Sequence, residues 1–142
     1  MRLKALLINL CLLSGCSSPS AWSLHSIASG DIAFDSTRLS FISAEAHSPL
    51  VFELIQSSDR IESFIFLNRF RFTKKELPVT LLIDNKTIEE LLLVYEGAMR
   101  IKLSEAMTAE LIQALQNGHE VIILVDGFKE VLSPNQFPIE FK

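Results

Sequence analysis

Ile61-Glu-Ser-Phe-Ile-Phe-Leu-Asn-Arg-Phe-Arg-Phe-Thr73 places phenylalanine at 64, 66, 70 and 72 and arginine at 69 and 71. A repeat of two is the repeat of a β-strand, whose successive side chains leave opposite faces of the sheet. The stretch therefore reads as one strand over 61–73 with four rings on one side, expected to be a centre of the core. Working outward, Arg38 to Glu45 also alternates, with Leu39 and Phe41 on one face and Arg38 and Ser40 on the other. Ser48-Pro49 interrupts it, Leu50 to Ile55 is a second strand, and Ser57-Ser58-Asp59 is a turn. On the other side Pro78 opens Val79 to Ile83, and Asp84-Asn85-Lys86 turns the chain. Leu91 to Leu103 reads as strand broken at Gly97. The segment Thr87 to Tyr95 also suits a short helix, since Glu89, Glu90 and the leucines are helix formers, but strand is preferred for Leu91 to Tyr95.

One helix is expected, from Glu105 to about Gln116. Ser104 is its N-cap and Glu105 lies at its positive end. Met107, Leu111 and Leu115 form an apolar stripe widened by Ile112 and Ala114, and Asn117-Gly118 is the C-cap. Val121 to Val125, the Asp126-Gly127 turn and Phe128 to Leu132 read as a hairpin. Pro134 and Pro138 flank a Phe137/Ile139/Phe141 alternation that the prolines confine to a sheet edge. The fold class is mainly β (α+β): a small β-sandwich or partly open barrel of short antiparallel strands, with one helix near 105–116 closing an end.

The chain has 142 residues, 49% hydrophobic and 21% charged, the composition of one globular domain. Its formal charge is −4. Without Arg2 and Lys4 the 13 basic residues become 11 against 17 acidic ones, a charge of −6. Nucleic acid is a poor partner for such a domain, because phosphate binding needs clustered Lys and Arg. Both cysteines, Cys11 and Cys16, fall in the first sixteen residues. Beyond them no thiol chemistry, disulfide or Cys-ligated metal site is available, and no cofactor is expected.

The N-terminus opens with Arg2 and Lys4, followed by an apolar stretch from Ala5 to Leu13 interrupted only by Asn9. That stretch is too short for a bilayer core of about 30 Å, which needs about 20 helical residues. Leu13-Ser14-Gly15-Cys16 then resembles the lipobox of bacterial lipoproteins: an aliphatic residue, two small residues and the modified cysteine. The resemblance implies a signal peptide over 1–15, diacylglycerol on the Cys16 sulfur and cleavage before Cys16. Ser17 stands where an aspartate would retain a lipoprotein in an inner membrane, so the resemblance implies outer-membrane anchoring. Residues 16–21 form a lipidated N-terminus and tether, and 22–142 a single periplasm-facing, β-rich domain. From Val79 to Phe141, strand, turn, strand, capped helix and hairpin follow in an order similar to small envelope sandwiches of the invasion-associated locus B family. It also resembles type III secretion pilotin lipoproteins. The likeness lies in the pattern of elements and carries over no functional residue.

The search for chemistry finds little. His25, His47 and His119 have no metal-ligand spacing, and no nucleophile elbow, phosphate loop or HExxH motif occurs. His119 follows the helix cap, where an imidazole meets the helix C-terminus favourably. Adjacent Glu89 and Glu90 with Asp84 read as a solvated face rather than a catalytic carboxylate pair. Two features bear on binding. The phenylalanine row is core, or alternatively a groove for lipid or a partner helix. The run Arg69, Arg71, Lys74 and Lys75 is an exposed face, or alternatively a contact for anionic headgroups or an acidic partner. The function expected is a non-enzymatic outer-membrane lipoprotein that binds or assists another envelope protein, in the manner of a pilotin. A module for lipid or a small apolar ligand is the alternative, and an envelope hydrolase is disfavoured by the missing motifs.

Overall fold

A computed structural model describes residues 21–28, 30–31, 35–43, 48–95 and 97–138. The leader, the lipobox, Cys16 and His47 lie outside them, as do Ile139 and Phe141. The described chain forms β1 (Ala21–Ile27), β2 (Ser36–Ile42), β3 (Leu50–Gln56), β4 (Ile61–Leu67), β5 (Glu76–Ile83), β6 (Lys86–Tyr95), β7 (Arg100–Lys102), α1 (Glu105–Gln116), β8 (Val121–Val125) and β9 (Phe128–Leu132). These strands make one antiparallel sheet in the order β1-β2-β3-β4-β7-β6-β5-β8-β9. Hydrogen-bonded ladders do not join its two edges, but the curl brings them together. The Trp22 indole N–H of β1 donates to the Ser133 carbonyl just after β9 at 2.9 Å. The same ring meets Phe41, Phe52 and Phe137 edge-on, with centroids 5.0, 6.1 and 5.1 Å away. The architecture is the partly open antiparallel barrel, with its single described helix where the sequence places it.

Inward positions follow from alternation along each strand. Leu39 and Phe41 of β2, Phe52 and Leu54 of β3, Ile65 of β4, Val79 and Leu81 of β5, Ile101 of β7 and Ile123 of β8 are all buried. The helix lays Met107, Leu111, Ile112, Ala114 and Leu115 against this concave side. Its ends obey local chemistry. The Ser104 Oγ accepts the Met107 N–H at 3.1 Å. At the other end the Gly118 and His119 N–H groups donate to the Leu115 and Ala114 carbonyls, a Schellman closure that needs φ = 81° at Gly118. Turns behave likewise: Asp126 and Gly127 take φ of 48° and 78°, the left-handed pair of a two-residue hairpin.

Three expectations are corrected. The strand over 61–73 ends at Leu67: the Asn68 N–H still reaches the Pro49 carbonyl in register, but Pro49 has no N–H to return the bond, and Arg69 takes φ = 74°. Within β4 it is Ser63, Ile65 and Leu67 that point inward. Phe64 and Phe66 stand half-buried on the outer face, Phe70 is 55% exposed, and only Phe72, arriving from the loop, is buried. β5 starts at Glu76 rather than after Pro78. Pro78 lies beyond the rungs that join β5 to β8, where the strand has a single neighbour and a missing N–H is tolerated. Phe137 belongs to no strand. Its N–H bonds back to the Pro134 carbonyl, and its ring is buried beside Trp22.

Candidate functional site

Register sets what stands beside what on the outer face. Phe64 pairs with Lys102 and Phe66 with Arg100, and Arg100 pairs in turn with Tyr95. β6 alternates Ile88, Glu90, Leu92 and Val94 inward with Thr87, Glu89, Leu91, Leu93 and Tyr95 outward. β6 thus presents Leu91 at 64%, Leu93 at 48% and Tyr95 at 50% exposure, with Leu91 and Leu93 paired to β5 and Tyr95 to β7. Phe64, Tyr95, Arg100 and Lys102 line an open cleft of about 320 Å³. The Arg100 guanidinium carbon lies 3.9 Å from the Phe64 ring centroid, a cation–π contact. The Lys102 ammonium donates to Glu62. That hydrogen bond, the leading cause, holds the Glu62 carboxyl below its usual pKa. Partial burial opposes it, and the charges of Lys102, Arg60 and Arg100 add to it. Towards β2 the face turns polar, where Glu53 accepts from Ser40 at 3.2 Å and faces Arg38 at 3.9 Å.

The basic run lies at one end of this face. Arg69, Arg71, Lys74 and Lys75 are all exposed, on the loop between β4 and β5. Backbone bonds tie that loop down: Asn68 N–H to the Pro49 carbonyl, Phe72 N–H to the Ala98 carbonyl and Val94 N–H to the Lys75 carbonyl. The exposed ring of Phe70 leans on Phe128 with centroids 6.2 Å apart. Met99, 39% exposed, lies in the adjoining β6–β7 turn. The structure brings the four cations onto one loop, next to two exposed apolar side chains.

The residues weighed for catalysis are not brought together. Glu89 and Glu90 alternate onto opposite faces, Glu89 accepting from Thr80 and Glu90 from the N-cap Ser104. His119 Nδ1 lies 2.9 Å from an Asp84 carboxylate oxygen, linking the helix C-terminus to the β5–β6 turn. His25 pairs with Ser23 at 2.9 Å on the edge strand β1. No group of three His, Cys, Asp or Glu able to hold a metal occurs among the described residues. A second groove, of about 680 Å³, runs between α1 and the β3–β4 turn, with Ile61 and Ile112 among its lining residues. Sequence reasoning missed the cleft. Its signal was present in Leu91 to Tyr95, a strand apolar at odd and even positions alike.

The chain matches no protein-family model, no curated protein and no solved structure.

Proposed function

We propose that this protein is a non-enzymatic bacterial lipoprotein, held at the outer membrane through acyl chains on Cys16, that binds another envelope protein on its outer sheet face. The anchor rests on Leu13-Ser14-Gly15-Cys16 behind a basic and apolar leader. Among the described residues no helix is long and apolar enough to cross a membrane. The observation that carries the binding role is the exposure of Leu91, Leu93 and Tyr95 side by side on the outward face of β6. Large apolar side chains contiguous on one face mark interaction surfaces. Arg100 and Lys102 beside them add charge that favours a partner with acidic groups among its apolar ones.

Two substitutions test the two halves of this reading. Cys16→Ser should abolish palmitate incorporation and release the protein from membranes; continued labelling at wild-type level would refute the anchor. A photo-crosslinker at position 93 in the lipidated protein should capture one discrete partner in native membranes, and Leu91→Asp should remove that adduct. If the crosslinker yields no protein adduct, the outer face is not the binding surface.

A further inference from the structure

The strand register shows at which end of the sheet the chain enters β1, directly after the proposed anchor segment. Ala21 pairs with Ile42, and Trp22 with Phe41, which pairs with Phe52 and through it with Ile65. The first residues of β1 therefore stand level with the last residues of β4. The loop carrying Arg69, Phe70, Arg71, Lys74 and Lys75 leaves from that same end, and so does the turn carrying Met99. The opposite end of β3 and β4 holds Ser57, Ser58 and Asp59, where Ile27 of β1 is the one exposed large apolar side chain level with them among the described residues. Three strand spacings of about 4.8 Å separate β1 from β4, roughly 14 Å across the sheet. Residues 16–20 reach at most about 17 Å when extended. A membrane holding Cys16 is thus within reach of the loop.

We propose that this end docks on an anionic phospholipid surface, with Phe70 and Met99 entering the headgroup layer and Arg69, Arg71, Lys74 and Lys75 meeting the headgroups. The inference rests on the anchoring of Cys16. Charge is its second support. Four cations share one eight-residue loop, 68–75, that holds no acidic residue, in a chain of formal charge −4. Basic side chains attract an anionic lipid surface, while exposed aromatic and thioether groups partition into its interface. Docking would hold the sheet upright on the membrane, leaving Leu91, Leu93 and the helix groove open to a protein partner.

The experiment uses the lipidated protein in vesicles of phosphatidylcholine with or without phosphatidylglycerol. Beyond Cys16 the chain has no cysteine, so Phe70→Cys, Met99→Cys and Asp59→Cys each introduce one site for a spin label. With phosphatidylglycerol present, labels at 70 and 99 should shift from water-exposed to lipid-exposed, by relative collision with oxygen and a nickel chelate. The label at 59 should stay in water. Arg71→Glu with Lys74→Glu should reverse the shift, and so should raised salt. Labels at 70 and 99 that remain in water on a protein whose N-terminal mass shows acylated Cys16 would overturn the docking and leave the anchor standing. An unacylated Cys16 would overturn both. Protection at 70 that occurs in native membranes but not in protein-free anionic vesicles would assign this end to a protein, and also overturns the proposal.

Discussion

β4 and α1 share a buried hydrogen bond between Ser63 and Thr108, yet they are built on different plans. The helix has one apolar face and one polar face. Met107, Leu111 and Leu115 are buried, Glu105, Ala109, Gln113 and Gln116 are exposed, and each end is closed by its own side chains and backbone. β4 has two apolar faces, Ile65 and Leu67 towards the helix and Phe64 and Phe66 away from it. A helix with one oily stripe has a single way to lie on a sheet. A strand oily on both sides has two, related by a shift of one residue, and only its neighbours choose. The face that loses the choice becomes the exposed apolar surface.

The largest expected effect tests that choice. Ile65→Ala should cost about 2–5 kcal/mol, as a fully buried aliphatic side chain is replaced by a cavity. Phe66→Ala should cost well under half as much in the same denaturant titration, although it removes more atoms. Equal losses would place both faces of β4 in packed interior and abolish the contrast.

The joint between the two elements comes next. Ser63 and Thr108 hydroxyls lie 2.6 Å apart, and the Thr108 hydroxyl donates its hydrogen to the Ser104 carbonyl at 2.8 Å. Ser63 must then be the donor to Thr108. Thr108→Val should cost about 1–3 kcal/mol by leaving the buried Ser63 hydroxyl unsatisfied, whereas Ser63→Ala should cost about 1 kcal/mol because Thr108 keeps its other bond. The reverse order would mean that the donor has been assigned backwards.

Gly118 tests the helix's independence from packing. No atom lies within 4 Å of a Cβ built there, so any penalty comes from the positive φ alone. Gly118→Val should lose about 1–2 kcal/mol and Gly118→Asn less, measured by thermal unfolding. If the two lose the same, the left-handed cap is not what Gly118 supplies.

The smallest effect concerns the outer side of β4. Lys102→Met should raise the Glu62 pKa towards the ordinary glutamate value, followed by carbon-detected NMR titration. A carboxyl whose folded pKa is lowered contributes stability that is present above its unfolded pKa and lost as pH falls through the folded one. The variant should therefore lose a small, acid-sensitive part of its stability and lie closer to wild type at low pH. An unmoved Glu62 titration would show that Lys102 does not govern that side of the sheet.

The amino-acid order by itself determined the local elements. Ser104 and Asn117-Gly118 bound the helix because capping depends on residues within one turn, and Asp126-Gly127 closes its hairpin because few residues accept positive φ. Alternation alone placed Leu39 and Phe41 inside, since their strand neighbours Arg38 and Ser40 are polar. The tertiary structure decided everything that required a choice between equal candidates. It turned Phe64 and Phe66 outward, because Phe52 and Ile101 of neighbouring strands align with Ile65 and fill the inside first. It ended β4 at Leu67 by setting Pro49, which has no N–H to return a bond, opposite Asn68. It set Phe64, Tyr95, Arg100 and Lys102 around one cleft through the β4-β7-β6 ladder, and it put the cationic loop at the end where the chain enters β1. Local periodicity carries no information about which strand lies alongside which, and that pairing is what creates both surfaces.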